Sequence, residues 1–302
     1  MGGHCCPSTS WVQGFAGKSA RATHSSPKGG FVLTSSVRDP AVVGRFYPSR
    51  ADELVRDIHR YMPDDTSRAV AIGCIAPHAG YMFSGAVAGA VYARLDIPKH
   101  CVILCPNHTG MGAPLAVMNS TAWQTPLGSV AADEELGSEL LRRFPRLQED
   151  SSAHRSEHAI EVQLPFLQAR RGDLRIVPIA VGTSDFEVLR ELGEALAGAI
   201  SQHPDKVLIV ASSDMNHYEP DAITRVKDHK AIDRVLVLDA RGLWDVVMNE
   251  DVGMCGFGPA IAMLIAAKAL GANSGELVKY ATSGDVSGER EQVVGYAGII
   301  VK

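Results

Sequence analysis

The sequence predicts an α/β domain of three layers, a central mixed β-sheet with helices on both faces. Three observations predict it. From residue 39 onward, short β-branched runs alternate with longer helical ones, the pattern left by a sheet covered with helices. An apolar content of 46% over 302 residues is enough to bury a full core. No internal repeat or long linker interrupts the alternation, so residues 38–302 read as a single domain.

In chain order, a helix is expected over 52–61, opening on Asp52 and Glu53, and a strand over 69–75, where Ala, Val and Ile cluster. A helix over 85–95 leads to strands at 101–104 and 115–118, both nearly all apolar. Helices follow at 133–144 and 157–170, and Pro165 should kink or end the second. A strand at 174–181, a helix at 186–202 and a strand at 207–211 continue the alternation. Helices at 222–236 and 259–270, the latter started by Pro259, precede strands at 277–282 and 293–301.

Residues 1–37 read as a disordered N-terminal extension. The first 38 residues hold Lys18, Arg21, Lys28 and Arg38 but no acid, are rich in Ser and Gly, and show no periodicity. They lack the apolar stretch of a secretory signal, and Gly and Pro spoil the amphipathic helix of a transit peptide. Met1-Gly2-Gly3-His4-Cys5-Cys6 departs from a myristoylation start, which wants Ser or Thr where Cys6 stands.

Composition excludes several function classes. A net charge of −5 with both signs interleaved leaves no polybasic stripe, so nucleic acid is not an expected partner. No apolar run reaches the roughly 18 residues of a membrane span; the most apolar stretch, 258–270, is broken by Lys268. The cysteines at 5, 6, 74, 101, 105 and 255 lack disulfide or zinc-module spacing, so a reducing cytoplasm is the expected location. Cys74, Cys101 and Cys105 lie in apolar runs and read as inert buried thiols.

Ligands of such sheets bind beyond the carboxyl ends of the strands. Three strand ends here deliver a histidine: Ala76-Pro77-His78, Cys105-Pro106-Asn107-His108, and Ser212-Ser213-Asp214-Met215-Asn216-His217. A lone histidine is usually structural, but three on convergent loops suit a metal ion or an acid–base set. Cys255 lies in a glycine-rich turn, Gly253-Met254-Cys255-Gly256, just ahead of the helix started by Pro259. At a helix N-terminus its thiol should ionise easily and serve as ligand or nucleophile. In His154-Arg155-Ser156-Glu157-His158-Ala159-Ile160-Glu161, helical spacing pairs Glu157 with Glu161 and His154 with His158. Glu157 and His158 are the expected pocket residues, although the helix dipole would equally explain an acid at Glu157.

Val43-Gly44-Arg45-Phe46-Tyr47-Pro48, Ala76–Tyr81, Pro106-Asn107-His108, Ser156–Leu167, Ser212–His217 and Cys255-Gly256 resemble, in order, the motifs of the Memo family. Its microbial members are called AmmeMemoRadiSam system protein B. The resemblance spans about residues 38–302 and implies a fold similar to class III extradiol dioxygenase catalytic subunits. It also implies one metal ion per chain, iron or copper first and zinc also permitted, on His78, His108 and Cys255. His217, Asp214, His158 and Glu157 would then do acid–base or pocket work, with a small molecule or peptide as ligand and radical-SAM proteins as partners. A thiolate in place of the dioxygenases' carboxylate is softer and departs from plain iron(II) ring-cleavage chemistry. The leading expectation is a metal-dependent redox or dioxygenase-like protein; a non-catalytic metal- or peptide-binding adaptor, a cysteine hydrolase using Cys255 and His217, and a zinc hydrolase are the alternatives.

Overall fold

The computed structural model describes residues 37–62 and 67–302. The expected extension lies outside the described residues apart from Val37, which opens the first strand. In chain order the strands are β1 Val37–Arg38, β2 Gly73–Ala76, β3 His100–Pro106, β4 Leu115–Val117, β5 Ala122–Thr125, β6 Gly128–Ala132, β7 Gln148–Glu149, β8 Arg175–Val181, β9 Val207–Ser212, β10 His217–Glu219, β11 Gly275–Thr282 and β12 Val293–Val301. The helices are α1 Ala51–Tyr61, α2 Tyr81–Ala93, α3 Glu134–Arg143, α4 Leu164–Arg170, α5 Phe186–Ile200, α6 Asp221–Leu236, α7 Ala240–Asn249, α8 Phe257–Ala269 and α9 Gly284–Ser287.

The sheet is mixed, in the order β1-β5-β6-β8-β3-β9-β2-β12-β10, with β11 also on β12 and β4 on β8. Strands β8, β3, β9 and β2 are mutually parallel, so their carboxyl ends share one edge; β12 then runs antiparallel to β2. Every residue of β2, β3 and β9 is buried, the signature of a sheet covered on both faces.

Alternation along these strands divides the core in two. Ile75, Val102, Leu104, Ile209 and Ala211 face one side, against α5 and α8. Cys74, Cys101, Ile103, Cys105, Leu208 and Val210 face the other, against α1, α2 and α4. The helices therefore pack on both faces, as the sequence predicts. Burial pushes the thiols of Cys74, Cys101 and Cys105 upward, that of Cys101 to about 12.

Several elements differ from expectation. The strand over 69–75 shrinks to Gly73–Ala76, with Ala69 making only an isolated bridge to Leu95. The helix over 157–170 starts late: Glu161–Gln163 is a 3₁₀ turn and α4 begins at Leu164. Pro165 lies in the first turn of α4, where its missing N–H costs nothing, so it starts a helix and neither kinks nor ends one. Glu157 is thus in a loop, and the helix-dipole account of it fails. The β5–β6 hairpin and α7 lie outside the expected elements.

Candidate metal centre

The shared carboxyl edge of β2, β3 and β9 gathers the site. Strand β2 ends at Ala76, and His78 follows, 2% exposed. Its backbone N–H donates to Asp214 Oδ1 (2.7 Å), which ties the turn after β2 to the turn after β9. Ser212, the last residue of β9, fixes the imidazole. Its hydroxyl donates to Ala159 O (2.6 Å) and accepts from Gln163 Nε2 (2.8 Å), so the His78 Nδ1 at 3.0 Å must be the donor. His78 therefore carries its proton on Nδ1 and presents the lone pair of Nε2. Burial, reinforced by the neighbouring His158 and His108, holds its pKa well below the ordinary value and keeps the ring neutral.

His108, past the end of β3, is oriented by the fully buried Glu157. Glu157 Oε1 accepts from His108 Nδ1 (2.9 Å), His158 N (2.8 Å) and Ala159 N (3.0 Å), while Oε2 accepts from His108 N (2.8 Å). Burial alone would raise this carboxyl, but the hydrogen bonds and the His108 charge outweigh it and bring it down to about 2. For His108 burial acts downward, and its bond to Glu157 wins, so its pKa rises. His158 lies over His108 with ring centroids 4.8 Å apart and keeps Nδ1 3.4 Å from Glu157 Oε1. Burial lowers its pKa.

Donor atoms of His78, His108 and His158 lie within 4.8 Å of one another. On His78 and His108 Nδ1 is taken by an oxygen, which leaves Nε2 as the free donor. That is the arrangement in which outer-shell oxygens fix metal-ligating imidazoles, so the residues present fit a bound ion.

Cys255, in the loop ahead of α8, approaches His78 and lies outside the mutually close group of the three histidines. Its Sγ is 3.2 Å from His78 Nε2 and 3.7 Å from Asp214 O. A Cβ on Gly256 would fall 2.4 Å from Ser212 O and from Ser213 Cβ, so only glycine lets this loop press against the end of β9. The expectation of an easily ionised thiol is not met: burial, then the nearby Asp214, push its pKa well above the ordinary value. Without a cation beside it Cys255 is a thiol that donates to His78 Nε2.

His217 opens β10, and its Nδ1 lies 2.7 Å from Gly253 O, so this carbonyl and not Asp214 orients the ring. Asp214 is buried and serves the His78 turn; burial raises its pKa. The imidazole that the Cys255 thiol meets is His78, which leaves a Cys255–His217 hydrolase pair without its contact. His154 stays apart, fully buried, with Nε2 on Ala116 O (3.1 Å).

Sequence reasoning missed the supports. Arg38 donates to Glu161 Oε2 (2.8 Å), His154 O (2.8 Å) and Glu157 O (2.6 Å), and lies 4.1 Å from the Trp123 ring centre. Glu161 also accepts from Ala41 N, Val42 N and Tyr47 Oη. This pair pins both ends of the loop that carries Glu157 and His158. Glu161, an acid within the mostly apolar run 159–167, was the available signal, but its partner is 123 residues away.

Residues 38–300 match the family described as Memo-like protein. A MEMO1 family protein of Methanopyrus kandleri is 44% identical over 279 residues, covering 88% of this chain and 99% of its own length. One of Pyrobaculum aerophilum is 44% identical over 276 residues, with 87% and 98% covered. Among solved structures, an uncharacterised protein of Escherichia coli K12 shares the fold with a TM-score of 0.52 at 15% identity, over 76% of this chain and 98% of that one. With its family's match running almost unbroken from β1 through β12, the chain belongs to the Memo family.

Proposed function

We propose that this protein holds one iron or copper ion between His78, His108 and Cys255, and uses it in a redox or dioxygenase-like reaction. The observation that supports the reading is the pair of imidazoles held through Nδ1 by Ser212 and Glu157, with the Nε2 of His78 3.2 Å from the Cys255 thiol. A His₂Cys set is soft enough for copper and, with open positions, also admits iron. Bound there, the ion supplies one-electron chemistry. Glu157 keeps His108 oriented, Asp214 fixes the turn of His78, and His217, held through Nδ1 by Gly253 O, has Nε2 to exchange a proton with a small molecule or peptide in the pocket.

A second reading replaces Cys255 by His158, because the imidazoles of His78, His108 and His158 form the mutually close donor group. Anaerobic purification followed by metal analysis tests the shared part. Wild type should carry about one equivalent, and His78→Ala and His108→Ala should lose it. Unchanged stoichiometry in both variants would reject the site. Radical-SAM partners and a cytoplasmic location go with this proposal. Among the described residues, no helix is long and apolar enough to cross a membrane.

A further inference from the structure

At the opposite edge of the sheet, His100 begins β3, Asp133 caps α3, and His203 and Asp205 sit in the turn between α5 and β9. Donor atoms of His100, Asp133 and His203 lie within 4.8 Å of one another, and the rings of His100 and His203 are 4.5 Å apart. Strand β3 separates this group from His108 by roughly 20 Å, at about 3.3 Å per residue.

His100 Nδ1 is 2.5 Å from Asp133 Oδ2, and a carboxylate beside an imidazole nitrogen takes that nitrogen's proton as a hydrogen bond. Nε2 then bears a lone pair. It is buried with no hydrogen-bond partner, in a side chain 9% exposed, and stands 3.5 Å from Asp205 Oδ2. Two electron-rich atoms that close, one of them out of water, require something positive between them. His203 Nδ1 lies against the backbone of Asp205, 3.0 Å from its O and 3.2 Å from its N, so Nε2 is the nitrogen left to face His100. A divalent cation uses all of them.

We propose that His100, His203 and Asp205 form a second metal site, with zinc as its ion and Asp133 holding His100 in the ligating tautomer. Two nitrogens and a carboxylate oxygen make a zinc-type donor set, a water completes the tetrahedron, and carboxylate–histidine–zinc relays are the usual backing. Zinc bonds of about 2.0–2.2 Å put tetrahedral donors about 3.3 Å apart. Asp205 Oδ2, 3.5 Å from His100 Nε2, is already near that spacing, and His203, within 4.8 Å of His100, has to close by up to about 1.5 Å. Such an ion would staple the start of β3 to the approach of β9.

The test uses the full chain with His78→Ala and His108→Ala in place, stripped by chelator and titrated with zinc in a calorimeter. Adding His203→Ala or Asp205→Asn, both in the surface turn and harmless to the core, should each remove one zinc equivalent. Asp133→Asn should weaken that equivalent by about 10- to 100-fold. Zinc should also raise the melting temperature of the parent and not of the His203→Ala chain. If His203→Ala and Asp205→Asn leave stoichiometry and the zinc-induced shift unchanged, or if the parent binds no zinc, the site is overturned.

Discussion

Arg38→Met is the substitution that best separates packing from charge in this fold. Arg38 and Glu161 are 3% and 0% exposed, so removing the guanidinium strands a carboxylate inside the protein. Breaking one member of a buried pair costs about 3–5 kcal/mol. Glu161 keeps three donors, Ala41 N, Val42 N and Tyr47 Oη, which favours the lower end. The stacked Trp123 and the carbonyls of His154 and Glu157 lose their partner as well, restoring about 1 kcal/mol of cost. A net loss of about 3–4 kcal/mol should lower the melting temperature by roughly 6–16 °C at about 2–4 °C per kcal/mol. Adding Glu161→Gln removes the stranded charge and should recover part of that loss, so the two changes must be non-additive. Thermal melts of both singles and the double measure it. A drop under about 1 kcal/mol for Arg38→Met, or simple additivity, would refute the reasoning.

Other outcomes follow from the site and its surroundings. Glu157→Gln should weaken metal binding about 10- to 100-fold while leaving a folded chain, because it loosens His108 and not the strands; competition with a chromogenic chelator reads this. At pH 8, metal binding through Cys255 should release about one proton that Cys255→Ser does not, since this thiol starts protonated whereas His158 is already neutral. Equal proton release in the two proteins, measured calorimetrically in several buffers, would transfer the ligand role to His158. Burial raises buried Asp228 to about 6, so the folded chain binds a proton more tightly than the unfolded one. Its contribution is complete below the ordinary value of 3.8 and is lost as pH rises through 6. Asp228→Asn should flatten the stability profile between those values; an unchanged slope would exclude Asp228 as its source.

The parts of this molecule that obey local rules were legible from sequence. Proline followed by histidine after an apolar run marks a strand end, and His78 and His108 stand there because nothing but the neighbouring strand decides it. Helices with a regular apolar face, such as α5, were placed nearly to the residue. What failed was the loop through His158, whose charged spacing mimics a helix. There tertiary partners override propensity: Arg38, Tyr47 and the amides of Ala41 and Val42 hold Glu161 in a 3₁₀ turn. Ser212 and Gln163, which set the tautomer of His78, were equally invisible, since a hydroxyl and an amide acquire that role only by meeting across the fold.

The neighbours of β2 set a timetable for making the protein. Among the described residues this strand pairs with β9 and β12, both far downstream, and with nothing translated earlier. While the ribosome is still working through the middle of the chain, the segment that bears His78 has no sheet to join, and its apolar edge must be shielded by other means. The histidines at 78, 108 and 158 are all synthesised before β9, the strand that joins β2 to β3. On the proposed function metal capture therefore waits for β9, and a ribosome-arrested chain ending before Val207 should remain open to protease around Gly73–Ala76 and release no bound ion on chelation.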